Sequence, residues 1–311
     1  MESVKKIDVH AHAHAFQQFI PPMVRGPKLI SPEELIAWYD KLNIEFGILQ
    51  PVVAPEAQPV TISNENVIYT VQKYPERFIW FCNVDARAVN NRPDSNLGYV
   101  LEHYKAMGAK GFGELTTHLP IDDPKMQNLF GYCQELDLPI TIHVSTVDDG
   151  DYGIIDELGL PKLEKLLKSF PKLKIIGHSQ AFWREMGDNP VSDGRIIGNY
   201  PTGKVREGRV PELLRRYENL YADLSNDSGS RSLMRDREHA AKFMEEFSDK
   251  LMYACDICSN VDAFMIPFDE FLTSMRESSE LSDKNYRKIV RENAIRILNL
   301  EDMVEKSSSK K

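Results

Sequence analysis

The chain has 311 residues, of which 42% are hydrophobic and 27% charged, and a formal net charge of −9. That is the composition of a globular protein long enough to bury a sizeable core. Its acidic balance argues against a nucleic-acid or anionic-membrane surface, since both want basic patches, and the basic cluster Lys204 to Arg216 is diluted by Glu207 and Glu212.

No apolar run approaches a transmembrane length. Met1 to Lys6 leads into a strand without the apolar segment of a signal peptide, so a cytoplasmic location is the expectation. Four scattered cysteines fit a reducing compartment better than a disulfide framework. Cys255 and Cys258 form a C-x-x-C with no second pair to complete a zinc site, so packing is the reading for both.

Ile7-Asp8-Val9-His10-Ala11-His12 reads as a first strand ending in two histidines. Side chains two apart on a strand share a face, so His10 and His12 can turn towards one point. An irregular stretch, 13–30, follows. Ser31, Pro32 and Glu34 then have the chemistry of a helix cap, first-turn proline and capping box. Apolar runs mark further strands at Phe46–Val52, Phe78–Val84, Ala109–Glu114, Pro139–His143, Leu173–His178, Leu220–Leu224 and Leu251–Cys255. Amphipathic helices stand between them, one opened by Asp122 or Asp123 before Pro124. A long insertion, 179–210, and a stretch at 225–235 read as loops. Asp283–Leu300 is the last predicted helix, and 305–311 a polar, disordered tail.

Eight strands alternating with helices imply a parallel sheet, and eight units imply an α/β protein of the closed (β/α)8 TIM-barrel kind. No linker divides the chain, so one domain over 1–304 is expected.

Reactive residues of such barrels sit at the C-terminal strand ends. Here those ends carry His10, His12, Glu114, His143, His178, Asp223 and Asp256, with Gln50 and Asp85 near the other two. Any one could be a buried, hydrogen-bonded residue, but packing alone does not explain so many at matching positions. Imidazole with carboxylate suits a borderline divalent cation, Zn²⁺ first, with Mn²⁺ or Fe²⁺ as alternatives. Such an ion lowers the pKa of bound water from about 15.7 to about 7, and an aspartate beside it can take the proton.

Other polar residues divide between bland and functional readings. His14 is read as a loop histidine. Glu114 could pair with a neighbour instead of a metal. His118 lies in a loop and could contact substrate. Asp223 could orient a histidine ligand or cap a turn. Trp183 and Arg184 belong to an insertion that could form a lid, and Arg184 or Arg195 could meet a substrate carboxylate, although surface arginines are commoner.

These residues, taken in order, resemble the amidohydrolase superfamily and look most like its amidohydrolase 2 branch. The resemblance runs from Ile7-Asp8-Val9-His10-Ala11-His12 to Glu292-Asn293-Ala294-Ile295-Arg296-Ile297-Leu298. Between them, Ile140-Thr141-Ile142-His143, Ile175-Ile176-Gly177-His178, Tyr221-Ala222-Asp223-Leu224-Ser225 and Asp256 are similar to the family's later strand ends. The resemblance implies that His10, His12, His143 and Asp256 hold an ion and that Asp256 also passes protons. His178 would ligate a second ion or act as an acid/base and polarising group. Glu114 departs from the lysine that many members carry, which leaves one or two ions open. Ala254-Cys255-Asp256-Ile257-Cys258 departs from the small residues and proline of relatives, which leaves its local loop open.

The expected function is a metal-dependent hydrolase cleaving an amide, lactone or ester-type bond of a small molecule. The alternative is a decarboxylase or hydratase of an unsaturated or aromatic acid on the same scaffold; a non-catalytic metal-binding barrel is a third reading. Neither nucleic acid nor membrane is expected as a partner, and a homo-oligomer is left open.

Overall fold

A computed structural model describes residues 2–21, 28–57, 60–146, 152–188, 200–259 and 265–308. Arg195 lies outside them. Among the described residues are strands β1 (Lys6–Ala11), β2 (Ile44–Leu49), β3 (Phe78–Trp80), β4 (Phe112–Leu115), β5 (Ile140–Thr146), β6 (Ile154–Asp156), β7 (Ile175–His178), β8 (Leu220–Asp223) and β9 (Leu251–Met252).

Every ladder is parallel: β1–β2–β3 in one run and β4–β5–β7–β8–β9 in another, with β6 added to the end of β5. Backbone hydrogen bonds carry the ring across both gaps. Cys82 N–H donates to Gly111 (2.9 Å) and Gly113 N–H to Cys82 (2.9 Å), joining β3 to β4. Val9 N–H donates to Tyr253 (3.1 Å) and Asp256 N–H to His10 (2.7 Å), joining the last strand to the first. The eight strands expected from sequence are therefore present in an α/β barrel with the helices between them.

The pairing of β1 with β2 shifts register between Asp8 and Ala11. Ile7 and Val9 pack with Phe81, Ile176 and Met252 in one apolar cluster, yet His10 and His12 also converge with residues from other strands. Strict alternation would not place all four on one side. The irregularity changes parity above the apolar layer, so the strand supplies core below and reactive groups above.

The opposite end is covered by the last helices. Ala294, Ile297, Leu298 and Leu300 join the same interior cluster, and Lys110 and Lys174, just before β4 and β7, donate to the carbonyls of Asn299 and Ile297. The predicted helix at 283–300 is not uniform: Lys288–Glu292 is a π-turn between α-helical Asp283–Arg287 and Asn293–Leu298. The Ile289 carbonyl, within that turn, accepts from Tyr253 N–H (2.9 Å). Tertiary pairing to the last strand thus accompanies the wider turn, a backbone irregularity that sequence period does not encode.

Three further differences matter. β6 was not expected; the strand is three residues long with only two of them apolar, Ile154 and Ile155, and it gains its register from Val144–Thr146. Residues 225–235, read as loop, contain a helix, Asn226–Met234. Its serines and glycine have modest helix propensity, but the Ser232 hydroxyl donates to Trp183 O (3.0 Å) and Gly229 lies close against Leu224. The chain after 300 also continues as a helix, Glu301–Ser308, with Met303 and Val304 against the lower cluster. The tail read as disordered from 305 is therefore helical to 308, and 309–311 lie outside the described residues.

Candidate metal centre

Three strand ends place four imidazoles around one point, and two buried polar groups decide how three of them face it. His10 Nδ1–H donates to Asp223 Oδ2 (2.8 Å), His178 Nδ1–H to Asp223 Oδ1 (3.0 Å), and His12 Nδ1–H to the Gln50 carbonyl (2.9 Å). Each partner fixes the tautomer and leaves Nε2 as the inward atom. Asp223 is fully buried and is itself held by the Ser225 hydroxyl (2.7 Å), while its backbone carbonyl accepts from Trp183 Nε1–H (3.0 Å).

The inward atoms crowd together. His10 Nε2 and His12 Nε2 are 3.1 Å apart. Glu114 Oε2 lies 3.3 Å from His12 Nε2 and 3.7 Å from His10 Nε2. Its Oε1 lies 2.6 Å from His143 Nδ1 and 3.5 Å from His178 Nε2. Asp256 repeats the arrangement: Oδ1 stands 3.5 Å from His12 and 3.8 Å from His10, and Oδ2 3.7 Å from His178. Each carboxylate thus spans a His10–His12 side and a His178 side, with His143 on the Glu114 flank of the latter.

This donor set fits a divalent cation. With both Nδ1 protons committed to acceptors, neutral His10 and His12 would face each other lone pair to lone pair at 3.1 Å, which a shared cation relieves. His10, His12 and Asp256 offer ligand atoms within 4.8 Å of one another, as do Glu114, His143 and His178. Oxygen and imidazole donors without thiolate suit zinc, manganese or iron.

The electrostatics favour positive charge in the same place. Burial opposes ionisation of Glu114, but His143 and the neighbouring His10 and His12 imidazoles hold its carboxyl well below the usual range. Burial likewise opposes the Asp223 carboxylate, and the charges and hydrogen bonds of His178 and His10 overcome it and lower its pKa. Burial alone would lower His10, yet Asp256, Asp223 and Glu114 hold it well above its ordinary value, and Asp223 raises His178. In the metal-free chain, protons thus compensate carboxylates that a cation could compensate instead.

All six residues read as candidate ligands, His10, His12, Glu114, His143, His178 and Asp256, are therefore brought together. Asp223 contacts two imidazoles and is no turn cap alone. His14 stands apart, its Nδ1 accepting from Phe16 N–H (3.2 Å). His118 bonds through Nδ1 to Gly153 O (3.2 Å), so it supports a loop. Trp183 is no lid: it is buried on the short helix Gln180–Arg184, behind Asp223. Arg184 is also buried, because the capped turn at Ser179 directs this helix into the core. Cys255 and Cys258 form no disulfide among the described residues.

Sequence reasoning missed two contributors, Asp8 and Tyr152, and the role of a third, Gln50, which it had placed near a strand end. Gln50 acts through its backbone carbonyl, which carries no sequence signal. Asp8 accepts from His10 N–H (3.0 Å) and Cys255 N–H (2.8 Å) through Oδ1 and from the Tyr39 hydroxyl (2.7 Å) through Oδ2, fastening the seam beside the site. Its carboxyl is pushed up to about 6 by burial. Tyr152 stacks near His143, with ring centroids 4.6 Å apart, and only the pairing of β6 brings it there.

Solved structures of similar fold cover almost the whole chain. A TIM-barrel protein from Bordetella bronchiseptica matches with TM-score 0.62 at 15% identity, covering 95% of this chain and 99% of its own. A probable 2-pyrone-4,6-dicarboxylic acid hydrolase from Acinetobacter baumannii, with citric acid bound, matches at 0.59 and 16%, covering 95% and 100%. A 5-carboxyvanillate decarboxylase from Novosphingobium aromaticivorans, complexed with manganese and a nitrobenzoic acid, matches at 0.58 and 18%, covering 95% and 96%. No curated protein matches the sequence. The model of the amidohydrolase family, in its amidohydrolase 2 branch, matches residues 7–300, and this chain belongs to that family.

Proposed function

We propose that the protein is a metal-dependent enzyme that uses an activated water to cleave an amide, lactone or ester-type bond in a small molecule. One observation carries the reading: the convergence of oriented imidazoles and the Glu114 and Asp256 carboxylates at the barrel mouth, within the spacing a divalent cation requires. His10, His12 and Asp256 would hold the ion, Glu114 would join them through Oε2, and His143 and His178 would complete the second side. A bound cation supplies a Lewis acid that acidifies water and polarises a substrate oxygen.

The chain's own residues divide the remaining work. Asp223 and the Gln50 carbonyl orient three imidazoles and keep their inward nitrogens available. Asp256 is the candidate proton carrier, since its side chain is 19% exposed whereas that of Asp223 is fully buried. It would take the proton of the attacking water and return it to the leaving group. His178, beside both Glu114 and Asp256, would face the substrate oxygen where negative charge develops.

A second reading uses the same residues for decarboxylation or hydration of an unsaturated or aromatic acid, with Asp256 or His178 moving a proton to or from carbon. It is supported by the likeness to the decarboxylase with bound manganese. Turnover of a panel of lactones, amides and aromatic acids in ¹⁸O-labelled water separates the two. Label in the product carboxylate supports hydrolysis; carbon dioxide release without label in the organic product overturns it in favour of the lyase. The protein should take up Zn²⁺ or Mn²⁺, and His10→Ala with His12→Ala should lose at least the ion held on the His10–His12 side.

A further inference from the structure

We propose that Tyr152 is a specificity-determining residue of this centre: its ring walls the mouth beside His143, and its hydroxyl donates to an anionic oxygen of the substrate. The inference rests on the functional reading above and adds the residue that selects the ligand's charge.

The placement of Tyr152 is built by several elements. Ile154–Asp156 pair with Val144–Thr146, so the chain returns alongside the end of β5 immediately after Tyr152. Gly153 makes the approach possible. Its φ is +100°, and a Cβ there would lie 2.7 Å from His143 Cδ2 and 2.8 Å from the His143 carbonyl oxygen. Gly153 N–H donates to Thr116 O (2.8 Å), and Gly153 O accepts from His118 (3.2 Å), which ties the turn to the chain beyond β4. The Tyr152 ring consequently lies 4.6 Å from the His143 ring at a tilt of 42°.

Packing on His143 accounts for the ring but not for the hydroxyl. Tyr152 is 37% exposed, and among the described residues its hydroxyl makes no hydrogen bond. A phenol keeps its proton at neutral pH and serves as a donor. A neutral donor at the edge of a cation centre favours an anionic oxygen over a neutral one, because the hydrogen bond becomes charge-assisted.

Calorimetric titration of the full-length, Mn²⁺-loaded protein with salicylate, and with salicylamide as its uncharged counterpart, tests the assignment. Tyr152→Phe keeps the ring on His143 and removes only the donor. It should weaken salicylate about tenfold, equivalent to ~1.4 kcal/mol, and leave salicylamide binding, manganese content and melting temperature at wild-type values. Tyr152→Phe binding salicylate as tightly as wild type would overturn the proposal, as would an equal weakening of both ligands. A manganese-loaded wild type that binds no salicylate also overturns it while leaving the metal centre standing. Failure to take up manganese sinks the functional reading beneath it.

Discussion

Asp223 bonds two imidazoles through its two oxygens, and this geometry makes a prediction at the scale of the residue. Asp223→Asn keeps the shape but presents an amide nitrogen to one histidine, so that ring must change tautomer or turn. Loss of such an orienting partner typically lowers metal affinity about 10–100-fold, measurable by competition with a chromophoric chelator. Protons compete at the same nitrogens. Because the carboxylates raise His10 and His178, metal affinity should fall as pH falls, with proton release on binding observed in weakly buffered solution. Glu114 makes a separate prediction, since each oxygen faces a different pair of histidines. Metal analysis at saturation should give two ions per chain, and Glu114→Ala should lose one. A single ion in wild type would contradict this division of the site.

At the scale of the element, the helix Asn226–Met234 shows how packing overrides propensity. A Cβ on Gly229 would come within 2.9 Å of Leu224 backbone and 3.2 Å of Trp183 Nε1, the atom that donates to Asp223 O. Gly229→Ala should therefore cost about 1–3 kcal/mol, as overpacking does, and weaken metal binding, since the helix can relieve the contact only by moving the support of Asp223. Thermal melts with and without metal test both effects. The next helix, Arg237–Glu246, is capped by Asp236, which also accepts from Val205 N–H (2.9 Å) and Lys204 Nζ (3.1 Å). These contacts lower the Asp236 carboxyl from 3.8 to about 2. The unfolded chain thus binds the proton more readily, so the stabilisation is present above about pH 4 and disappears as pH falls from about 4 to 2. In metal-free protein, the urea midpoint of Asp236→Asn should lie below wild type at pH 6, and the gap should narrow by pH 3. The capping box at Ser31–Glu34 forms as its sequence implies, whereas Asn226–Met234 was not legible because Trp183, which anchors it through Ser232, lies 49 positions earlier in the chain.

For the whole molecule, the barrel links the site at one end to a helical cover at the other. Asn293, fully buried, donates to the carbonyls of Ser248 (2.6 Å) and Leu251 (2.8 Å), which precede and begin β9. Asn293→Leu leaves both without this donor and should destabilise the fold by ~2 kcal/mol, seen as a lower urea midpoint. Folding and metal binding are also linked. A cation bound at 100 times its dissociation constant adds about 2.7 kcal/mol, so a chelator should lower the melting temperature and restored metal should recover it.

The sequence by itself determined the alternation of strands and helices, the parallel sheet it implies, and the identity of the residues at the strand ends. These follow from local rules: apolar period, capping chemistry and polar punctuation. Only the tertiary structure decided how His10 and His12 share the interior with Ile7 and Val9, because that depends on a register shift between strands. It also decided which atom each imidazole presents, since Asp223 and the Gln50 carbonyl come from distant strand ends and fix the tautomers from behind. Tyr152 became part of the site for the same reason: a three-residue strand has too little pattern of its own, and its position comes from pairing with β5.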